Sequence, residues 1–163
     1  MKSKQIQIIF ARKQYGISKY IQSQTWSKWS HVGIVDGDHV IQAVGIPPFK
    51  LFLVLICIIP NSTKLGGVVS TPINEFLAIY KETRYAYING NIEIARAMID
   101  VAMYDAIGVV GLFLGKRIDS DNDMTCAKMV WLCATHCRDS FAHRATPQKI
   151  LEISTDEYIG ELG

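Results

Sequence analysis

Long runs of like charge are missing from this 163-residue chain. Its 17 basic and 15 acidic residues are scattered, the formal net charge is +2, and no five basic residues stand together. Nucleic acid is therefore not expected as a partner. Also missing is an apolar segment of membrane-spanning length. The longest, Leu51 to Ile59, has nine residues between Lys50 and Pro60, against about 20 for a helix that crosses a bilayer. No transmembrane segment is expected. The opening MKSKQIQIIFARKQYG carries basic residues, but its apolar stretch is only four residues, Ile8 to Ala11, with no small-residue cleavage site behind it. No secretion signal is read, and the expected location is the cytoplasm of the producing cell. Cysteine is sparse: of the four, at 57, 126, 133 and 137, three fall within twelve residues of one predicted helix. That spacing excludes a secreted-style disulfide framework and points to reduced thiols. Internal repeats and low-complexity linkers are absent as well. What is there is 49% hydrophobic and 20% charged, a balance that suits one globular domain spanning residues 1–163.

Turn residues divide the chain. Residues 5–10, QIQIIF, alternate for part of their length and read as a strand. A polar helical piece is expected from Ile17 to Gln24. Ser30 to Val44 carries the clearest β signal, because SHVGIV and HVIQAV flank Asp36-Gly37-Asp38, and an Asp-Gly pair favours a tight hairpin. Pro47-Pro48 breaks that pattern. LFLVLICII has the branched aliphatics of a strand buried on both faces, although a helix is also open. Gly66-Gly67 precede a short strand VVS. Thr71-Pro72 predict a helix to about Lys81, with Thr71 as N-cap and Pro72 in the first position. RYAYI, residues 84–88, reads as a strand. A helix is expected from Ile92 to about Ala106, its apolar face marked by Ile92, Ala95, Ile99 and Met103. The glycine-rich GVVGLFLG has no clear assignment. Asp119 to Asp123 form a turn and cap cluster before a helix from about Thr125 to Cys137, and Thr146-Pro147 open a last helix.

Cys126 falls in the first turn of its predicted helix, where unpaired backbone N–H groups and the helix dipole favour a thiolate. The alternative is packing, since Cys126, Val130, Cys133 and Cys137 mark one helical face and suit small buried positions equally well. His31 opens a strand, and a sheet-borne imidazole facing a helix N-terminus is an arrangement used for proton transfer to and from a thiol. Gln42 lies on the facing strand of the hairpin. Its amide oxygen is expected to accept the Nδ1–H of His31, leaving Nε2 for the sulfur. Tyr104 is a candidate substrate-binding residue near the oxyanion, with a core tyrosine as the alternative. His39 reads as an exposed residue beside the turn. Cys133, His136 and Cys137 form a C-x-x-H-C grouping, but a structural zinc needs four ligands and no second paired cluster is visible; Cys57 and His143 would complete one only by the accident of folding. No metal and no cofactor are expected.

In these residues the chain resembles the circularly permuted NlpC-type papain-like amidases and peptidases, in which histidine precedes cysteine. The likeness is carried by WSHVGIV, whose histidine opens a core strand, by VIQAVG with the third polar residue, and by MTCAKMVW, where the cysteine starts a helix. Thr71-Pro72 with its helix, Tyr104-Asp105 before the glycine-rich segment, and Thr146-Pro147 are also similar. Two departures stand out: Gln42 where members often have glutamate, and an apolar stretch at Leu51 to Ile59 longer than the usual connection. That stretch reads as core, a partner surface or an acyl-binding wall. The resemblance implies an α+β fold, a small antiparallel sheet or partial barrel packed against helices, with the Cys126 helix lying across it. It further implies a cysteine hydrolase of amide bonds with Cys126, His31 and Gln42 as its triad, and peptidoglycan stem peptides as the foremost substrate. An antibacterial effector or a phage lysis or entry enzyme would fit, carried to the periplasm or a target cell by another route, with a delivery or immunity protein as partner. Two other classes stay open: a thiol-dependent acyltransferase or lipid-directed hydrolase, and a binding module that keeps the fold without chemistry.

Overall fold

The computed structural model describes residues 4–13, 22, 27–45, 66–80, 82–102, 125–134 and 145–156. They form six strands, β1 (Lys4–Arg12), β2 (His31–Asp36), β3 (His39–Val44), β4 (Gly67–Pro72), β5 (Glu82–Gly90) and β6 (Thr155–Asp156). Four helices accompany them: α1 (Ile73–Ile79), α2 (Ile92–Met98), α3 (Cys126–Cys133) and α4 (Pro147–Ile153). The strands make one open sheet in the order β4-β3-β2-β1-β5-β6, and every neighbouring pair is antiparallel. The architecture is the expected α+β class.

Strand β1 sits inside the sheet, so its side chains alternate between two buried faces. Ile6, Ile8 and Phe10 join the larger core with Val32, Ile34, Ile41 and Val68, and α2, α3 and α4 cover that side through Ala95, Met129, Val130, Cys133 and Ile150. Ile9 and Ala11 face the other way and pack with Val40 and Phe76 of α1. The sheet is thus clad on both sides, and the strands on which the histidine and the glutamine ride are its rigid middle.

The β2–β3 hairpin closes on Gly37-Asp38, one residue beyond the Asp36-Gly37 pair read from the sequence. Asp36 and His39 form the last strand pair, and Gly37 has φ +63°. That is the left-handed first central position of a II′ turn, which glycine takes without steric cost. The hairpin tip is tied to α2: Arg96 donates from Nε and Nη2 to the Asp36 carboxylate at 2.8 and 2.6 Å and from Nη1 to Glu93 at 2.6 Å.

Three helix boundaries differ from expectation. Thr71 and Pro72 stay in β4, paired with Val40 and His39. Helix α1 begins at Ile73 behind an N-cap Pro72 that has no capping side chain, and the Ile73 N–H donates instead to the Asp38 carbonyl at 2.9 Å. Helix α2 is capped by Asn91 and stops at Met98. Beyond it Asp100 is left-handed, and the chain exchanges hydrogen bonds with Val68 through the Asp100 N–H and the Ala102 carbonyl. Sheet-like pairing with β4 ends that helix well before Ala106. Helix α3 stops at Cys133 rather than Cys137, because Ala134 pairs with Gly90 and the Cys133 carbonyl accepts the Asn91 N–H at 2.8 Å. Helix α4 begins as read, with Thr146 accepting from the Lys149 N–H and Pro147 in the first turn. The expected helix at Ile17 to Gln24, apart from Gln22, and the segments Leu51 to Ile59, GVVGLFLG and Asp119 to Asp123 lie outside the described residues. Among the described residues no helix is long and apolar enough to cross a membrane.

Candidate active site

Thr125 starts the site. Its side-chain oxygen accepts the Lys128 N–H at 3.1 Å, which stops the helix one residue upstream of the sulfur and makes Cys126 the first residue of α3. The apolar residues that follow, Ala127, Met129, Val130 and Cys133, are buried in the core shared with β2 and β3. This leaves Cys126 half-buried at the helix mouth.

His31, Gly33 and Gln42 lie on one face of the hairpin, because residues two apart on a strand share a face and the Ile34–Ile41 register sets Gly33 opposite Gln42. His31 and Gln42 are diagonal neighbours, within reach for long side chains. A side chain at position 33 would crowd that diagonal: a Cβ there would stand 3.6 Å from the Gln42 Cβ and 2.6 Å from a Val40 methyl. The His31 Nε2 meets the Gln42 Oε1 at 2.8 Å. Gln42 is itself buried and donates from Nε2 to the Thr71 hydroxyl oxygen at 2.9 Å. Two points correct the sequence reading. The ring is used the other way round, with Nε2 on Gln42 and Nδ1 left for the sulfur. And Thr71 holds the amide of Gln42 instead of capping a helix.

The sulfur and the ring form one electrostatic unit. Burial pushes the Cys126 thiol up, but the charge and hydrogen bond of His31 and the backbone N–H groups of Val32 and Ala127 outweigh it, and the net shift is downward. Burial pushes His31 down and Lys13 opposes its charge, yet the Cys126 charge and the hydrogen bonds to Cys126 and Gln42 carry it upward. Both shifts run toward a thiolate beside an imidazolium.

An aromatic wall closes one side. The Tyr80 ring stacks on His31 with centroids 5.3 Å apart and planes 10° apart, and Phe76 lies 6.1 Å from His31 and 4.6 Å from Tyr80. The Lys13 ammonium stands over Tyr80, 5.2 Å from the ring centre. Burial and the Cys126 charge push the Tyr80 hydroxyl well above the usual phenol range, so it stays neutral.

A family model described as permuted papain-like amidase enzymes, the YaeF/YiiX, C92 family, matches residues 4–151. The chain belongs to this family. That places it among the papain-like amidases, which are cysteine hydrolases of amide bonds, and it accounts for a histidine-bearing strand that precedes the cysteine-bearing helix. Neither the curated proteins nor the solved structures hold a match to the chain.

Two other residues singled out in this amidase-family chain, Cys133 and His39, stand apart from the pair. Cys133 is buried, and burial pushes its thiol up to about 12, the opposite of Cys126 one helix-length away. His39 is half exposed and bonds Asp38 at 2.7 Å at the hairpin tip. Tyr104, Cys57, His136, Cys137 and His143 lie outside the described residues. Among the described residues no three His, Cys, Asp or Glu side chains come together as metal ligands. Sequence reasoning missed Thr71, Tyr80, Phe76 and Gly33. Only Gly33, a glycine inside a strand flanked by branched residues, carried a signal, since such glycines mark close approach.

Proposed function

We propose that the chain is a cysteine amidase in which Cys126 is the nucleophile, His31 the proton carrier and Gln42 the residue that orients the ring. The observation that carries this reading is the position of the Cys126 thiol, at a helix N-terminus and hydrogen-bonded to a histidine whose other nitrogen is held 2.8 Å from Gln42. The Cys126 thiolate attacks the amide carbonyl carbon. The tetrahedral oxyanion is stabilised by backbone N–H groups at the start of α3. As the C–N bond breaks, the imidazolium gives its proton to the leaving amine. Water then attacks the thioester, His31 takes the proton from that water, and the acid leaves with the thiolate restored.

The resemblance to NlpC-type enzymes makes peptidoglycan stem peptides the substrate we propose, with an antibacterial or lysis role. Transfer of lipid acyl groups is the competing reading. It has support in Leu77 and Ile79, which are exposed on the helix that carries the aromatic wall.

Purified protein exposed separately to peptidoglycan fragments and to acyl lipids decides between them. A mass increase on Cys126 matching a stem-peptide acyl group, absent in Cys126→Ala, is expected. An adduct formed only with acyl lipids would overturn the substrate assignment, and turnover by Cys126→Ala would overturn the nucleophile.

A further inference from the structure

Hydrogen bonds alone do not fix the plane of an imidazole. Those of His31 to Gln42 and Cys126 both lie at the ring's edge, and because the terminal torsion of histidine is broad, they leave the ring room to tilt and lengthen its reach to the sulfur. Something must hold the plane. We propose that Tyr80 is the positioning residue of His31, its ring holding the imidazole in the one plane that serves Gln42 and Cys126 together; this rests on the reading of Cys126 and His31 as the reacting pair.

The geometry suits that task. Planes 10° apart at 5.3 Å are an offset stack, the arrangement aromatic faces prefer. The Tyr80 ring is itself backed by Phe76 at 4.6 Å. Phe76 is fully buried in the small core with Ile9, Ala11 and Val40, so the wall stands on the sheet that carries the histidine. A flat ring over the imidazole also keeps water off that face, which strengthens the attraction between thiolate and imidazolium. The groups that set the charge of His31 are Cys126 from α3 and Lys13 just after β1, with neutral Gln42 from β3. Tyr80, held neutral, adds no charge and acts through its ring alone.

The test reads the rate of Cys126 alkylation by iodoacetamide against pH, located by peptide mapping, which needs no substrate. In Tyr80→Leu, which keeps apolar bulk and loses the flat ring, alkylation at pH 6 is expected to slow about tenfold, with the midpoint of the profile moved toward that of an ordinary thiol. Tyr80→Phe keeps the ring and is expected to return the wild-type profile. Thermal midpoints of both variants separate a positional loss from unfolding. A wild-type profile in folded Tyr80→Leu overturns the proposal while leaving the reacting pair in place. A Tyr80→Phe profile as poor as that of Tyr80→Leu overturns it too, since the hydroxyl and not the ring would then be acting. Wild-type protein whose Cys126 is no more reactive than Cys133 at pH 6 overturns the pair and this inference with it.

Discussion

Replacing Thr71 by Val removes one hydroxyl and leaves the branched shape that suits β4. The lost group is the acceptor for Gln42 Nε2 at 2.9 Å. Because Gln42 is only 3% exposed, water does not readily take its place, and an unpaired buried donor costs ~1–3 kcal/mol. Destabilisation in that range is expected in a thermal or urea melt. Only part of it reaches the chemistry, since the amide oxygen keeps its bond to His31 but loses the anchor behind it. A loss of about 1 kcal/mol in positional preference corresponds to about a fivefold fall in turnover. Two experiments give the number meaning. Thr71→Ser, which keeps the hydroxyl, should recover most of both losses. The pH profile of Cys126 alkylation in Thr71→Val should move toward the ordinary thiol range, whereas loss of a mere helix cap would destabilise α1 without touching that profile. Wild-type stability and an unmoved profile would refute the argument, because the bond would then hold nothing.

Gln42→Ala removes the partner of His31 Nε2 and should lower turnover roughly 10- to 100-fold; a loss as large as that of His31→Ala in the same assay would mean that Gln42 does more than orient. Labelling by iodoacetamide at pH 6 should find Cys126 well ahead of Cys133, whose thiol burial pushes up to about 12, and His31→Ala should slow Cys126 specifically. Turnover should be bell-shaped in pH, rising as Cys126 ionises below its ordinary value and falling as His31 loses its proton above its own; a single rising limb through pH 9 would count against the ion pair. Gly33→Val should disrupt the hairpin face through the Val40 methyl 2.6 Å from the added Cβ, read as a lowered melting temperature by about the 1–3 kcal/mol typical of overpacking.

The sheet was legible because its strands obey simple rules. QIQIIF and RYAYI gave the cores of β1 and β5, and the hairpin showed through its turn glycine. The helix starts near Thr125 and Thr146 were legible because each threonine oxygen accepts a first-turn N–H, from Lys128 and Lys149. The Thr-Pro signal that held at Thr146-Pro147 misled at Thr71-Pro72, where pairing with Val40 and the reach of Gln42 outbid a helix start. Cys126, His31 and Gln42 could be nominated from spacing. Which ring nitrogen faces the sulfur could not, since that depends on the side-chain torsions that bring His31 Nε2 to Gln42, and Tyr80 and Phe76, which line the ring, look like ordinary apolar positions until α1 is folded against β3.

The order of the chain has a consequence for synthesis. The side chains described around the thiol, from Lys13 and His31 through Gln42 and Thr71 to Phe76 and Tyr80, all precede Cys126. A polypeptide made from its N-terminus therefore lays down the base, its anchor and the aromatic wall before the nucleophile leaves the ribosome. The reactive sulfur arrives after them, and a chain cut short upstream of α3 carries the base, its anchor and the aromatic wall but neither the nucleophile nor the helix N-terminus that serves it.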